Sequence, residues 1–94
     1  MSQAAPFQAD DKDPGSTIPY TIDWTDELAG DTIVSSSWNV PPPFRKVNES
    51  FSNALATVVI SGGAVGKMIT ITNTIQTATA ATEVRSIQIY CRKL

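Results

Sequence analysis

Apolar side chains recur at every second position along much of this chain, the spacing of strands that bury one face. In residues 18–24, Tyr20, Ile22 and Trp24 share a face, and Thr21 and Asp23 share the other. Pro19 has no amide N–H to give a ladder, so this strand starts at a sheet edge or at its own first residue. Residues 31–40 predict a second strand, with Val34, Trp38 and Val40 inward and Ile33 on the opposite face. Between them, Thr25-Asp-Glu-Leu-Ala-Gly30 reads as one helical turn. Thr25 is its expected cap, Asp26 and Glu27 suit its positive end, Gly30 stops it, and Leu28 points back to the core.

Pro41-Pro-Pro43 interrupts any ladder and predicts extended polyproline-like backbone. Residues 44–51 predict a weak strand or a crossing segment. Residues 55–61 form a short β-branched strand with Val58 and Ile60 inward, and Gly62-Gly63 supplies the positive φ of a tight turn. Residues 67–77 alternate cleanly: Ile69, Ile71 and Ile75 face one way, and Met68, Thr70, Thr72 and Thr74 the other. A turn of small residues follows at 78–81. Residues 83–92 alternate again, with Ile87, Ile89 and Cys91 inward and Arg85 on the same parity at the rim.

Six to seven short strands with turn signals between them predict an all-β sandwich over residues 18–94. Its expected core is Tyr20, Ile22, Trp24, Leu28, Val34, Trp38, Val58, Ile60, Ile69, Ile71, Ile87 and Ile89. Residues 1–17 contain two prolines, a glycine and little apolar material, and read as an extended N-terminal arm. Phe7 is the exception, an anchor for a partner's pocket or for the chain's own domain. Alternation leaves Phe44 and Tyr90 pointing away from the core, so Phe7, Phe44 and Tyr90 are the candidate partner contacts.

A length of 94 residues allows one modest core. Charged residues are 17% of the chain, with Thr, Ser and Ala filling the gap, which suits a polar but weakly charged β surface. A net charge of −2 with seven scattered cations makes no basic stripe, so no nucleic-acid partner is expected. No apolar run approaches the roughly 20 residues that span a bilayer, so no membrane partner is expected either. The first nine residues show no secretory signal, so synthesis is expected in the cytoplasm.

The residues that carry most chemistry are missing. There is no histidine, which removes the triads built on it and the commonest metal ligand. The single Cys91 excludes an internal disulfide and reads as a buried thiol. Asp23, Asp26, Glu27 and Asp31 cluster in sequence, but their spacing is not that of a calcium loop, and they read as turn and helix-end acids. Ser61-Gly-Gly-Ala-Val-Gly-Lys67 superficially resembles a phosphate loop. It has Ser61 where that loop needs glycine, Met68 where it needs a hydroxyl, and a strand where it needs a helix. No catalytic residue, metal or cofactor is expected, and no enzyme.

Taken together, Asp13-Pro14, Tyr20-Thr-Ile-Asp-Trp24, Leu28, Gly30-Asp-Thr-Ile33, Ser37-Trp38, Ala56-Thr-Val-Val-Ile-Ser-Gly-Gly63, Thr70-Ile-Thr-Asn73 and Arg85-Ser-Ile87 form one pattern. It resembles the small virion proteins of tailed bacteriophages and prophages that are encoded among head, neck and tail genes. It covers residues 13 to about 92. The resemblance implies an immunoglobulin-like sandwich located in the virion, in many copies or as a homo-oligomer, touching capsid, neck or tail proteins. It brings no catalytic residues. Capsid decoration or cementing is the leading expectation. The alternatives are a neck or tail accessory or fibre-attachment protein, or an adhesion module for host carbohydrate that displays Phe44 and Tyr90.

Overall fold

The structure is a computed structural model and describes residues 7–94, of which Phe7 is described by its backbone alone. The described residues form seven strands and one helical turn. They are β1 (Phe7–Gln8), β2 (Thr17–Asp23), α1 (Thr25–Leu28), β3 (Ile33–Asn39), β4 (Phe44–Phe51), β5 (Leu55–Gly62), β6 (Met68–Thr77) and β7 (Thr82–Tyr90). One sheet has the order β1-β7-β6-β3 and the other β2-β5-β4. All pairings are antiparallel except the short β1–β7 pair.

This is the immunoglobulin-like arrangement, with β2, β5 and β4 as one sheet, β3, β6 and β7 as the other, and a short first strand lying parallel to the last. Trp38 occupies the third strand of that plan, where such domains keep a buried tryptophan. A single cysteine allows no disulfide between the sheets. A hydrogen bond provides the tie: the Trp24 indole N–H, just past β2, donates to Asn73 Oδ1 on β6 at 3.0 Å.

The core lies between the sheets and is filled from both. Ile22, Trp24, Leu28, Trp38, Val58, Ile60, Ile69, Ile71, Ile87 and Ile89 are all buried, together with Ile33, Phe44, Ala56, Ile75 and Cys91. Tyr20 is half-buried and packs against this cluster. Val34 is not a core residue: it is 55% exposed, and Ile33 is buried in its place. A bulge causes the reversal. Ile33 opposes Thr77 and Ser35 opposes Gln76, so Val34 is an extra residue that shifts the parity of the strand. The shift lets both Ile33 and Trp38, five positions apart, face inward.

The expected cap of α1 is also displaced. Thr25 is the first helical residue, and Asp23 Oδ1 accepts both its N–H at 2.9 Å and its hydroxyl at 2.5 Å. The turn closes at Ala29, which is in the left-handed region at φ 49°.

Most of the stretch expected to be an arm is built into the sandwich. Phe7 and Gln8 pair with Ile87 and Gln88, Ala9 N–H bonds Gln88 O, and Lys12 N–H bonds Tyr90 O. Lys12 is only 2% exposed. Its Nζ donates to the carbonyls of Ser16 at 2.6 Å, Gly62 at 2.8 Å and Asp13 at 3.1 Å, and lies 5.7 Å from the Phe44 ring centroid. One side chain therefore ties the N-terminal stretch to β5. Residues 1–6 of the expected arm lie outside the described residues.

Candidate partner-binding surface

Three of the four acids that cluster in the sequence, Asp23, Glu27 and Asp31, are engaged within the fold. Asp31 Oδ1 accepts the Thr32 N–H, and its Oδ2 accepts the Thr79 hydroxyl at 2.6 Å. The hydroxyls of Thr79 and Thr77 hold the Asp31 carboxyl below the ordinary carboxylate range. The Thr25 hydroxyl and amide do the same for Asp23. Glu27 makes an ion pair with Arg85 at 2.9 Å, and the Arg85 guanidinium lies 4.8 Å from the Trp24 ring centroid. Among the described residues, no group of three or more Cys, Asp or Glu side chains is placed to hold a metal ion. The glycine-rich stretch after β5 is a close-packed turn. A Cβ on Gly63, at φ +121°, would lie 2.8 Å from Cys91 Sγ and 3.0 Å from Phe44 Cε1.

Phe44 is no surface contact. It is 5% exposed and packs into the core under Lys12, because β4 enters the sheet with this residue opposite Gly62, where the partner strand has no side chain. Tyr90 is half-buried on the outer face of the four-stranded sheet, opposite Met68. The aromatic pair expected for carbohydrate is therefore not displayed. The Phe7 side chain lies outside what the structure describes. The exposed apolar residues fall elsewhere, among them Val34, Val47, Phe51 and Leu55.

Two surfaces stand out. The first is the outer face of the four-stranded sheet. Register places Thr70, Thr72, Thr74 and Gln76 in a row on β6, beside Ser37 and Asn39 of β3 and Ser86 and Gln88 of β7. Thr72 and Ser86 share a hydrogen bond across strands at 2.9 Å. These positions carry no charge, which keeps the desolvation cost of covering them low.

The second is the flank where β3 and β4, the edge strands of the two sheets, lie side by side. Every residue of β4 after Phe44 is exposed on both faces. A groove of about 330 Å³, lined by Ser36, Glu49, Ser50 and Phe51, runs between the edges. Lys46 spans it, donating to Glu49 Oε2 at 2.8 Å and to Trp38 O at 3.3 Å. The groove wall carries apolar area from Phe51, which is 46% exposed, and an ion pair that neutralises itself.

Sequence alternation missed three residues that organise the sandwich and these surfaces. Asn73 sits at inward parity between Ile71 and Ile75, a visible signal of a satisfied buried amide; its Nδ2 donates to Ser36 Oγ at 2.9 Å and Ser37 O at 3.0 Å. Phe51 ends a strand whose register depends on a second bulge, at Val47. Lys12 gives no sequence signal at all.

Tyr20 lies at the opposite flank, where Ala9, Asp10, Asp11, Ile18 and Pro19 form a cleft with it. Burial first, then the nearby Cys91 and Asp10, push its phenol up to about 12. A raised pKa means that the fold favours the neutral phenol. That preference is fully present below pH 10 and is lost between pH 10 and about 12. The wild-type unfolding midpoint is therefore expected to fall across this window relative to Tyr20→Phe. Parallel curves for the two proteins in alkaline thermal melts would contradict the assignment.

The fold and these surfaces define an immunoglobulin-like module whose distinguishing features are an open flank and an uncharged sheet face. A family model described as podophage GP4 fiber-tail adaptor protein gp77 matches residues 12–90, and the chain belongs to that family. It is a small virion protein of a tailed phage, with a structural role among other virion proteins. No curated protein matches the chain. The family supports the tail and fibre alternative better than capsid decoration, the leading expectation from sequence.

Proposed function

We propose that this protein is a non-catalytic adaptor that joins a tail fibre to the tail of a podophage particle. The observation that carries the reading is the family match across nearly the whole folded domain. The structure supports it in physical terms. An adaptor needs a rigid body with more than one usable surface, and here an uncharged sheet face and an open strand flank lie on one small sandwich. A single standard protein interface takes about 800 Å² per partner, so two partners must use different sides of a domain this small.

The test is reconstitution. The chain, mixed with the purified fibre protein and the purified tail protein of the same phage, is expected to form a ternary complex in light-scattering chromatography. Fibre and tail proteins are not expected to associate without it. Failure to bind either one, or stable fibre–tail association in its absence, would remove the adaptor reading.

A further inference from the structure

We propose that the free edge of β3 receives an extended segment of the fibre protein, which adds as a fifth strand to the four-stranded sheet and seals the groove beside β4. This rests on the adaptor reading and names where one partner binds. The four sheet edges are not equivalent. The β2 edge carries Pro19, which removes a ladder donor. On the β7 side the two-residue β1 covers Ile87 and Gln88, and the Lys12–Cys91 bridge covers the end. The stretch 82–86 beyond β1 carries Glu83 and Arg85, charged side chains of the kind that discourage strand addition. The β4 edge is blunted by the bulge at Val47, and Asn48 Oδ1 occupies the Glu49 N–H at 2.9 Å. Bulges and self-capped edge amides are ways in which proteins prevent unwanted strand pairing.

The β3 edge is regular from Ser35 to Asn39, with no proline and no charge. Antiparallel alternation points the backbone groups of every second residue away from β6. Ile33 and Trp38 belong to this set: the Ile33 N–H bonds Asn53 O at 3.0 Å, and Trp38 O takes Lys46 Nζ. The register puts Ser36 in the same set, between them. Both ends of the edge are thus engaged from within. The Ser36 N–H and C=O and the Trp38 N–H face out at strand spacing, and that arrangement matches an extended polypeptide.

Groove chemistry fixes the rest of the occupant. Its inward side chains would meet Phe51 and Ser36, so they are apolar. Its outward side chains would join the Ser35, Ser37 and Asn39 row, so they are small or polar. Because Lys46 and Glu49 already neutralise one another, the segment needs no net charge.

The test uses the full chain and the purified fibre protein of its phage. Amide exchange followed by NMR is expected to slow at least tenfold at Ser36 and Trp38 in the complex. Ser36→Pro removes one outward donor at a position where an edge strand tolerates proline, and Phe51→Asp puts a charge in the groove. Each is expected to weaken fibre binding at least tenfold, and Phe51→Asp should leave the melting temperature unchanged. Unchanged exchange at Ser36 and Trp38, or Phe51→Asp binding within twofold of wild type, overturns the strand-addition proposal while leaving the adaptor reading standing. A wild-type chain that binds neither fibre nor tail protein removes both.

Discussion

Replacing Trp24 with alanine is expected to cost about 4–8 kcal/mol, roughly half or more of the stability of a typical domain of this size. The indole is 1% exposed, and truncating a buried tryptophan costs about 3–5 kcal/mol. The change also strands Asn73 Oδ1 without its donor, about 1–3 kcal/mol more. A domain of this size holds on the order of 5–14 kcal/mol in all. The more diagnostic experiment is a pair of gentler variants. Trp24→Phe orphans Asn73 Oδ1, whereas Asn73→Leu orphans the Trp24 indole N–H and also takes a donor from Ser36 Oγ and Ser37 O. Each should cost about 1–3 kcal/mol or more, Asn73→Leu the larger amount. The double variant removes both partners. It should therefore cost less than the sum of the two by about 1 kcal/mol or more, measured in urea unfolding. Strict additivity would show that the inter-sheet hydrogen bond contributes nothing beyond packing.

Lys12→Met should produce the second large effect, and it should be localised. The methionine keeps the apolar stem but takes the ammonium away from the carbonyls of Ser16 and Gly62. Asp13 O is less affected, because it also accepts the Ser16 N–H and hydroxyl. Hydrogen bonds to a charged group are worth about 1.5–3 kcal/mol each, offset in part because a buried ammonium no longer has to be desolvated. A net loss of about 2–4 kcal/mol follows. Amide exchange at Ala9 and Lys12, whose N–H groups bond β7, should rise more than exchange in β5 and β6. Lys12→Arg should not rescue, since a planar fork does not fit three carbonyls converging on one point. If Lys12→Met is as stable as wild type and the Ala9 amide stays protected, the lysine is not the fastening of the N-terminal stretch.

Period two in the sequence determined the class of fold. Alternation in residues 68–77 and 82–90 required strands with one wet face, and the isoleucines of those strands, with Trp24 and Trp38, are the interior. The absence of histidine and of a second cysteine was equally legible, and it excludes histidine-based triads and an internal disulfide. Parity counting fails wherever a strand contains an extra residue. Val34 and Val47 are such residues, and the sequence carries no local mark of either bulge. Phe44 and Lys12 fail for a different reason. Their burial depends on what lies across the molecule: Gly62 and Gly63, which leave space for the ring, and the carbonyls that receive the ammonium. Only the tertiary structure placed β3 and β4 side by side, and so made a groove out of serines and a phenylalanine that are far apart in the chain. Strand identity is a local property of side-chain spacing. Which edges remain open is decided by how the sheets stack, and neighbouring residues do not encode that.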